Sequence, residues 1–235
     1  DLAAEESLSG TVYLYDINHQ AAIDNEIIGN KGNGNWKYKA EENIGQALQG
    51  ADFVVISILP GTFDEMESDV HTCEKYGVYQ SVGDTTGPGG VLRSMRTVPM
   101  YVKFANAIRE YCPNAWVINY TNPMAVCVGI LYKVFPQIKA FGCCHEVFGT
   151  QKLLIAALKE FQEINDITRN DIYTNIIGIN HFTWINKASY RDVDLLNVFK
   201  EFSDKYSADG YKDVNQNWMN FNFGSLDRVK FDLFY

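Results

Sequence analysis

The sequence predicts an α/β protein: a Rossmann-type parallel sheet followed by the start of a mixed α/β substrate domain. Three observations carry this. Compact apolar runs at 11–15, 53–59 and 116–120 have the length and the β-branched or aromatic content of buried strands. Helix-patterned segments separate them, and that alternation argues for parallel strands with helices on both faces. From residue 171 the pattern changes to two longer strand-like runs, 172–178 and 182–190, on either side of Asn180-His181.

Taken in order, the run Thr11-Val-Tyr-Leu-Tyr ends at Asp16, and residues 19–29 then read as helix. Trp36-Lys-Tyr-Lys alternates like a short strand, and 42–49 reads as a short helix. The strand Phe53-Val-Val-Ile-Ser-Ile-Leu stops at the breaker Pro60-Gly61. A helix is expected over 99–111, a strand over 116–120 ending in Thr121-Asn122-Pro123, and a helix over 125–135. A strand over 138–141 and an amphipathic helix over 151–161 follow. The expected division is a nucleotide-binding half, 1–142, and the start of a substrate half, 143–235. The chain lacks an initiator Met and stops inside the apolar-rich run 229–235, so it reads as a fragment.

Composition is that of a globular domain, with 46% hydrophobic and 21% charged residues. The net charge of -9 and the absence of a basic cluster argue against a nucleic-acid partner. No apolar run approaches the ~20 residues of a membrane-spanning helix, and the acidic N-terminus has no signal-peptide core. Five cysteines without CxxC spacing fit a reduced, cytoplasmic protein better than a disulfide scaffold.

Several stretches carry chemistry. Gly142-Cys143-Cys144-His145-Glu146-Val147 follows an apolar strand, and ligands of such sheets bind beyond the strands' carboxyl ends. Cys144, His145 and His181 are the metal candidates. Structural zinc spacing is absent, which leaves an open site completed by substrate, while Cys143 reads as a packing residue. Asp16 sits where dinucleotide folds place the ribose-binding acid, although a strand-ending Asp is more often a turn former. The glycine fingerprint belonging to it would lie upstream of residue 1. Gly83-Asp-Thr-Thr-Gly-Pro-Gly-Gly reads either as a mobile lid or as a long surface turn. Arg93 and Arg96 after it could meet an anion or could cap helices. Asn119 and Asn122 bracket a strand end, as a polar rim for a sugar or a carboxamide, and Asn119 could equally satisfy backbone groups.

In this order, Ala51-Asp-Phe-Val-Val, Gly83-Asp-Thr-Thr-Gly-Pro-Gly-Gly, Arg96-Thr-Val-Pro, Asn119-Tyr-Thr-Asn-Pro-Met, Cys144-His-Glu-Val and Gly178-Ile-Asn-His-Phe resemble the family 4 glycoside hydrolases. The resemblance covers essentially the whole chain. The Cys-His-Glu-Val tetrad, with the Ser57-Ile-Leu-Pro-Gly run, is most similar to the α-galacturonidase group. It implies a glycosidase outside the two-carboxylate scheme, dependent on NAD. NAD⁺ would oxidise the sugar at C3, and a base would remove the acidified C2 proton. The glycosidic oxygen would leave by elimination, water would add, and the hydride would return. A divalent cation, usually Mn²⁺, would act as Lewis acid.

The resemblance implies Cys144 and His181 as metal ligands, with the soft thiolate giving weak, oxidation-sensitive binding. It implies Asp16, Ile58 and Asn119 along the cofactor, and Asn122 on the substrate. Asp84 would raise the basicity of a catalytic tyrosine. His145 follows the metal cysteine, where an imidazole could protonate a leaving group near neutral pH. The base tyrosine is expected just past Tyr235. The phosphate-binding Arg of the phosphoglucosidases aligns with Met66, which argues against a 6-phosphosugar. Arg93, His145 and Glu146 are then the candidates for holding a uronate carboxylate. The resemblance also implies a homo-oligomer, a dimer or tetramer. The alternative is a 2-hydroxyacid dehydrogenase of the lactate/malate type, which would release NADH and need no metal.

Overall fold

The computed structural model of the chain describes residues 2–32, 34–80 and 83–206. In chain order its first elements are β1 (Gly10–Leu14), α1 (His19–Asn30), β2 (Trp36–Ala40), α2 (Ile44–Leu48), β3 (Phe53–Ile56), α3 (Phe63–His71) and α4 (Gly87–Tyr111). Then follow β4 (Trp116–Asn119), α5 (Met124–Val134), β5 (Lys139–Gly142), α6 (Glu146–Phe161), β6 (Tyr173–Ile179), β7 (Phe182–Tyr190), β8 (Val193–Asp194) and α7 (Leu195–Tyr206). By contacts the chain forms two compact units. Unit 1 takes Asp1–Ile56, Tyr101–Ile118 and Ile130–Phe141, and unit 2 takes Ser57–Met100, Asn119–Gly129 and the residues from Gly142 onward. No helix among the described residues is long and apolar enough to cross a membrane.

Unit 1 is the parallel, Rossmann-like part. β1 pairs in parallel with β2, Gly10 opposite Trp36 through Leu14 opposite Ala40, and α1 makes the crossover that parallel strands require. Asparagine side chains start both short helices: Asn18 accepts from the Ala21 amide and Asn43 from the Gly45 amide. β3, β4 and β5 lie side by side in that order. The buried interior draws Tyr101, Ala105 and Ile108 from α4, Val117 from β4, and Leu131, Phe135 and Ile138.

Unit 2 carries the antiparallel sheet. β6 pairs with β7 from Tyr173–Ser189 to Ile179–Phe182, leaving Asn180 and His181 as the turn, and β8 adds to β7. Leu154 and Leu158 of α6 pack with Ile167, Ile172, Ala188, Tyr190 and Leu195. Ala157, Val198 and Phe202 form a second buried group between α6 and α7.

The α/β class and the change to a second sheet after residue 171 agree with the sequence reading; several local readings do not, among them the helix expected from 151, which begins at Glu146. The helix expected from 99 begins at Gly87 and runs through Pro99. Proline removes one amide donor, but burial of Tyr101, Ala105 and Ile108 outweighs that loss. Helix α3 was not expected, although Thr62-Phe-Asp-Glu65 is a capping box and both of its reciprocal bonds form. β3 ends at Ile56 rather than 59. Phe53 and Val55 are exposed, so the strand buries one face and not two. Tyr235, expected beside the base, lies outside the described residues.

Leu158 is fully buried at the centre of the α6 cluster. Leu158→Ala is expected to lower stability by about 2–5 kcal/mol, the range for a large-to-small core change. Urea unfolding followed by fluorescence measures it.

Candidate functional site

The site is assembled within unit 2 from three segments. The first is the exit from β5. The Cys143 amide donates to the Asn119 carbonyl at 2.9 Å, and the chain then turns into α6. His145 precedes that helix without a side-chain cap, so the cap falls to Cys144, whose Sγ accepts the Glu146 amide at 3.4 Å. A helix N-terminus favours negative charge, and here it faces a thiol.

The second segment is the β6–β7 turn. His181 has φ +58°, and its Nε2 lies 3.5 Å from Cys144 Sγ. Its backbone amide donates to Glu146 Oε2 at 2.9 Å, and Asn180 Nδ2 donates to the same oxygen at 3.3 Å.

The third segment supplies Asp84, a buried carboxylate whose Oδ1 accepts from His181 Nδ1 at 2.5 Å. The glycines around it explain how it is held. A Cβ on Gly90 would meet the Thr85 carbonyl at 2.6 Å, and one on Gly89 would meet the Gly83 carbonyl at 2.9 Å. Residues 83–85 therefore lie directly on the first turn of α4. The Gly83–Gly90 stretch is closely packed where Gly89 and Gly90 are buried and reaches the surface at Gly87 and Pro88.

These contacts set the protonation states. Burial works against charge on His181, but its hydrogen bonds to Asp84 and Cys144 outweigh burial and raise the imidazole to about 10. The Cys144 thiol is lowered, chiefly by His181, with help from the Glu146 amide and Asn180 and against burial. Both shifts favour the charged forms, a thiolate on Cys144 and an imidazolium on His181. The pair also fits a cation. Donors of Cys144, Glu146 and His181 all lie within 4.8 Å of one another. Bonds of about 2.3 Å to sulfur and about 2.1 Å to nitrogen place such donors roughly 3.5 Å apart near a tetrahedral angle. Asp84 on Nδ1 fixes the tautomer that leaves Nε2 for a metal, as second-sphere carboxylates do. Binding would displace the shared proton.

The remaining sequence-predicted residues divide. Ile58 donates its amide to Thr121 Oγ1 at 2.9 Å. Asn119 is fully buried, and its amide bonds the backbone of Thr121 on both sides. Asn122 has a buried Oδ1 with no partner among the described residues, and so do Asn180 Oδ1 and Thr85 Oγ1. Buried oxygens of this kind call for a partner, and sugar hydroxyls would suit them. Asn180 and Thr85 were not singled out from sequence. The signal was their adjacency to His181 and Asp84 inside the quoted motifs.

Arg96 is closed to substrate by an ion pair with Asp69 and a 3.3 Å bond to the Pro60 carbonyl. Arg93 is 8% exposed, and its guanidinium has no hydrogen bond or ion pair among the described residues. His145 is exposed. In unit 1, Asp16 accepts the Asn18 amide at 2.7 Å, as a turn-forming Asp does. It also lines a concavity of about 380 Å³ with Leu14, Tyr15, Asn25, Gly29 and Tyr38. An exposed carboxylate beside such a concavity fits a ribose.

Comparison with known proteins decides the family. The sequence pattern of family 4 glycosyl hydrolases matches residues 1–160, and that of the family 4 C-terminal domain matches residues 176–235. The chain belongs to the family 4 glycosyl hydrolases. An alpha-galacturonidase from Thermoanaerobacterium saccharolyticum is 64% identical over 241 residues, covering all of this chain and 52% of that protein. The crystal structure of lplD from Bacillus subtilis, described as a glucosidase, matches at TM-score 0.85 and 57% identity, over 99% of this chain and 54% of that one. A 6-phospho-alpha-glucosidase from gut microorganisms, in complex with NAD and glucose-6-phosphate, matches at TM-score 0.66 and 25% identity, over 89% and 48%. This family 4 chain thus spans about half the length of the curated relatives it matches.

Asp84→Asn keeps an acceptor beside His181 but removes the charge that fixes the ring. On the reading of Cys144 and His181 as cation ligands, affinity for Mn²⁺ is expected to fall by about 10–100-fold, the usual cost of losing a carboxylate behind a metal histidine. Titration calorimetry with the full-length protein measures it.

Proposed function

We propose that the protein of which this chain is part hydrolyses α-galacturonides, using NAD⁺ and a divalent cation, Mn²⁺ first. The observation that carries this is the Cys144–His181–Asp84 cluster, set in a chain 64% identical to an alpha-galacturonidase along its whole length. When bound, NAD⁺ would supply the hydride acceptor and the cation a Lewis acid.

The chain's own residues do the rest. Cys144 and His181 hold the cation, and Asp84 keeps Nε2 of His181 free of a proton when the cation is there. Asn122 turns an unpaired carbonyl oxygen to a sugar hydroxyl. Arg93, buried without a counter-charge among the described residues, receives the uronate carboxylate. A buried guanidinium without a partner is costly, and a carboxylate ligand offsets that cost. His145, exposed at the start of α6, protonates the leaving oxygen. Asp16 serves the cofactor, and so do Ile58 and, through the backbone it braces, Asn119. We further propose that the nucleotide half covers 1–142 and that the substrate half begins at 143. On this reading the enzyme is a cytoplasmic homo-oligomer, a dimer or tetramer. The lactate/malate-type alternative is not favoured, because both family 4 patterns match and the Cys144 cluster has no role in it.

The test uses the full-length protein with NAD⁺ and Mn²⁺ on nitrophenyl α-galacturonide, α-galactoside and α-glucoside. The galacturonide is expected to be turned over fastest, with no net NADH. Cys144→Ala is expected to abolish turnover while NAD⁺ still binds. Equal rates on the three glycosides would sink the uronate reading, and full activity of Cys144→Ala under chelation would sink the cation reading.

Arg93→Gln should lower kcat/KM on the galacturonide by about 100-fold, roughly 2.7 kcal/mol of charge-pair loss. The residual rate on α-galactoside should change little, and the ratio of the two kcat/KM values is the measurement.

A further inference from the structure

The β6–β7 hairpin closes on two residues, and only the second, His181, has a left-handed backbone, with φ +58°. That turn position ordinarily takes Gly or Asn. Histidine tolerates it at a cost, and such a conformation persists where its surroundings over-determine it. The imidazole is tied to Asp84, but a ring contact alone does not fix the backbone that carries it.

The backbone is tied elsewhere. Glu146 Oε2 accepts the amide of His181 at 2.9 Å and the side-chain amide of Asn180 at 3.3 Å, so one carboxylate grips both turn residues. Bonds to a carboxylate are the stronger, charge-assisted kind. Glu146 also touches the other half of the pair, because its own amide donates to Cys144 Sγ. A single residue in the first turn of α6 thus bonds to the thiol through its backbone and to the histidine turn through its side chain.

We infer that Glu146 is a positioning residue: its carboxylate clips the Asn180-His181 turn to the start of α6 and so sets the direction in which His181 Nε2 meets Cys144 Sγ. The consequence for cation binding rests on the proposed reading of that pair, whereas the clip itself does not. It gives the third residue of the Cys-His-Glu-Val tetrad a task that needs no contact with the sugar.

The experiment compares Glu146→Gln with Glu146→Ala in the full-length protein, with circular dichroism confirming that each folds. In cation-free protein, hydrogen exchange at the His181 amide should speed up at least about tenfold in the Ala variant, one hydrogen bond's worth of local protection. It should stay near wild type in the Gln variant, whose side-chain oxygen still accepts. Mn²⁺ affinity read by electron paramagnetic resonance should fall about 10–100-fold for Ala and hold for Gln. Equal loss of Mn²⁺ affinity in both variants would make the carboxylate a ligand and overturn the inference. Unchanged exchange and affinity, with only KM for the sugar raised, would make Glu146 a substrate contact and also overturn it. If the wild-type protein binds no Mn²⁺, the cation reading fails, and the exchange measurement still decides the clip.

Discussion

The site depends on one hydrogen-bonded line, Asp84 to His181 to Cys144, whose members are far apart in sequence. A buried carboxylate, an imidazole and a thiol each lose solvation on entering the fold, and each is tolerable there because the next one compensates. Remove His181, the middle member, and Asp84 and Cys144 lose the imidazole that both of them bond. The surrounding structure is therefore answerable to their spacing. β5 must deliver Cys144 at the start of a helix, the hairpin must turn at His181, and residues 83–85 must press against α4.

Close approach is the means by which the sequence meets that demand. Gly89 and Gly90 remove the side chains that would lift the Asp84 segment off its helix. Gly142 does the same at the end of β5, where a Cβ would collide with the Met124 side chain. The glycines that matter are those that bring backbone against backbone or side chain beside the cluster, and flexibility is not their purpose. The structure thereby places three polar groups with sub-ångström demands on elements that are themselves packed, which is where a site gains precision.

Much of this was legible in the sequence, and the exceptions share a cause. Strand and helix order followed from apolar runs and their spacing, and Cys144 with His181 followed from motifs. The start of α4 was missed because Gly87-Pro88-Gly89-Gly90 has the composition of a loop, and only the packing of 83–85 on it reveals why a helix needs glycines there. The pairing of Arg96 with Asp69 is a tertiary fact that no local pattern encodes. Asp84 was flagged for a distant tyrosine, whereas its contact among the described residues is His181. Glu146 was flagged for the sugar, whereas its carboxylate bonds a turn reached only through a hairpin. Sequence pattern finds which residues are chemical; it does not say which of them face one another.

Charge explains why those facing relations matter for the proposed substrate. Asp84, Glu146 and the lowered thiol of Cys144 set three acidic groups against one imidazole. An anionic sugar brought to such a cluster would be repelled unless the acids were already engaged and a cation had entered. Asp84 is engaged by the ring and Glu146 by the turn, which leaves the thiolate and Nε2 as the groups with charge and lone pair to offer. A divalent cation taken up there exchanges for the shared proton and makes the cluster less negative by one unit. On the proposed reading the sugar's own carboxylate then still needs a positive partner outside the cluster, and Arg93, buried and without a counter-ion among the described residues, would supply it.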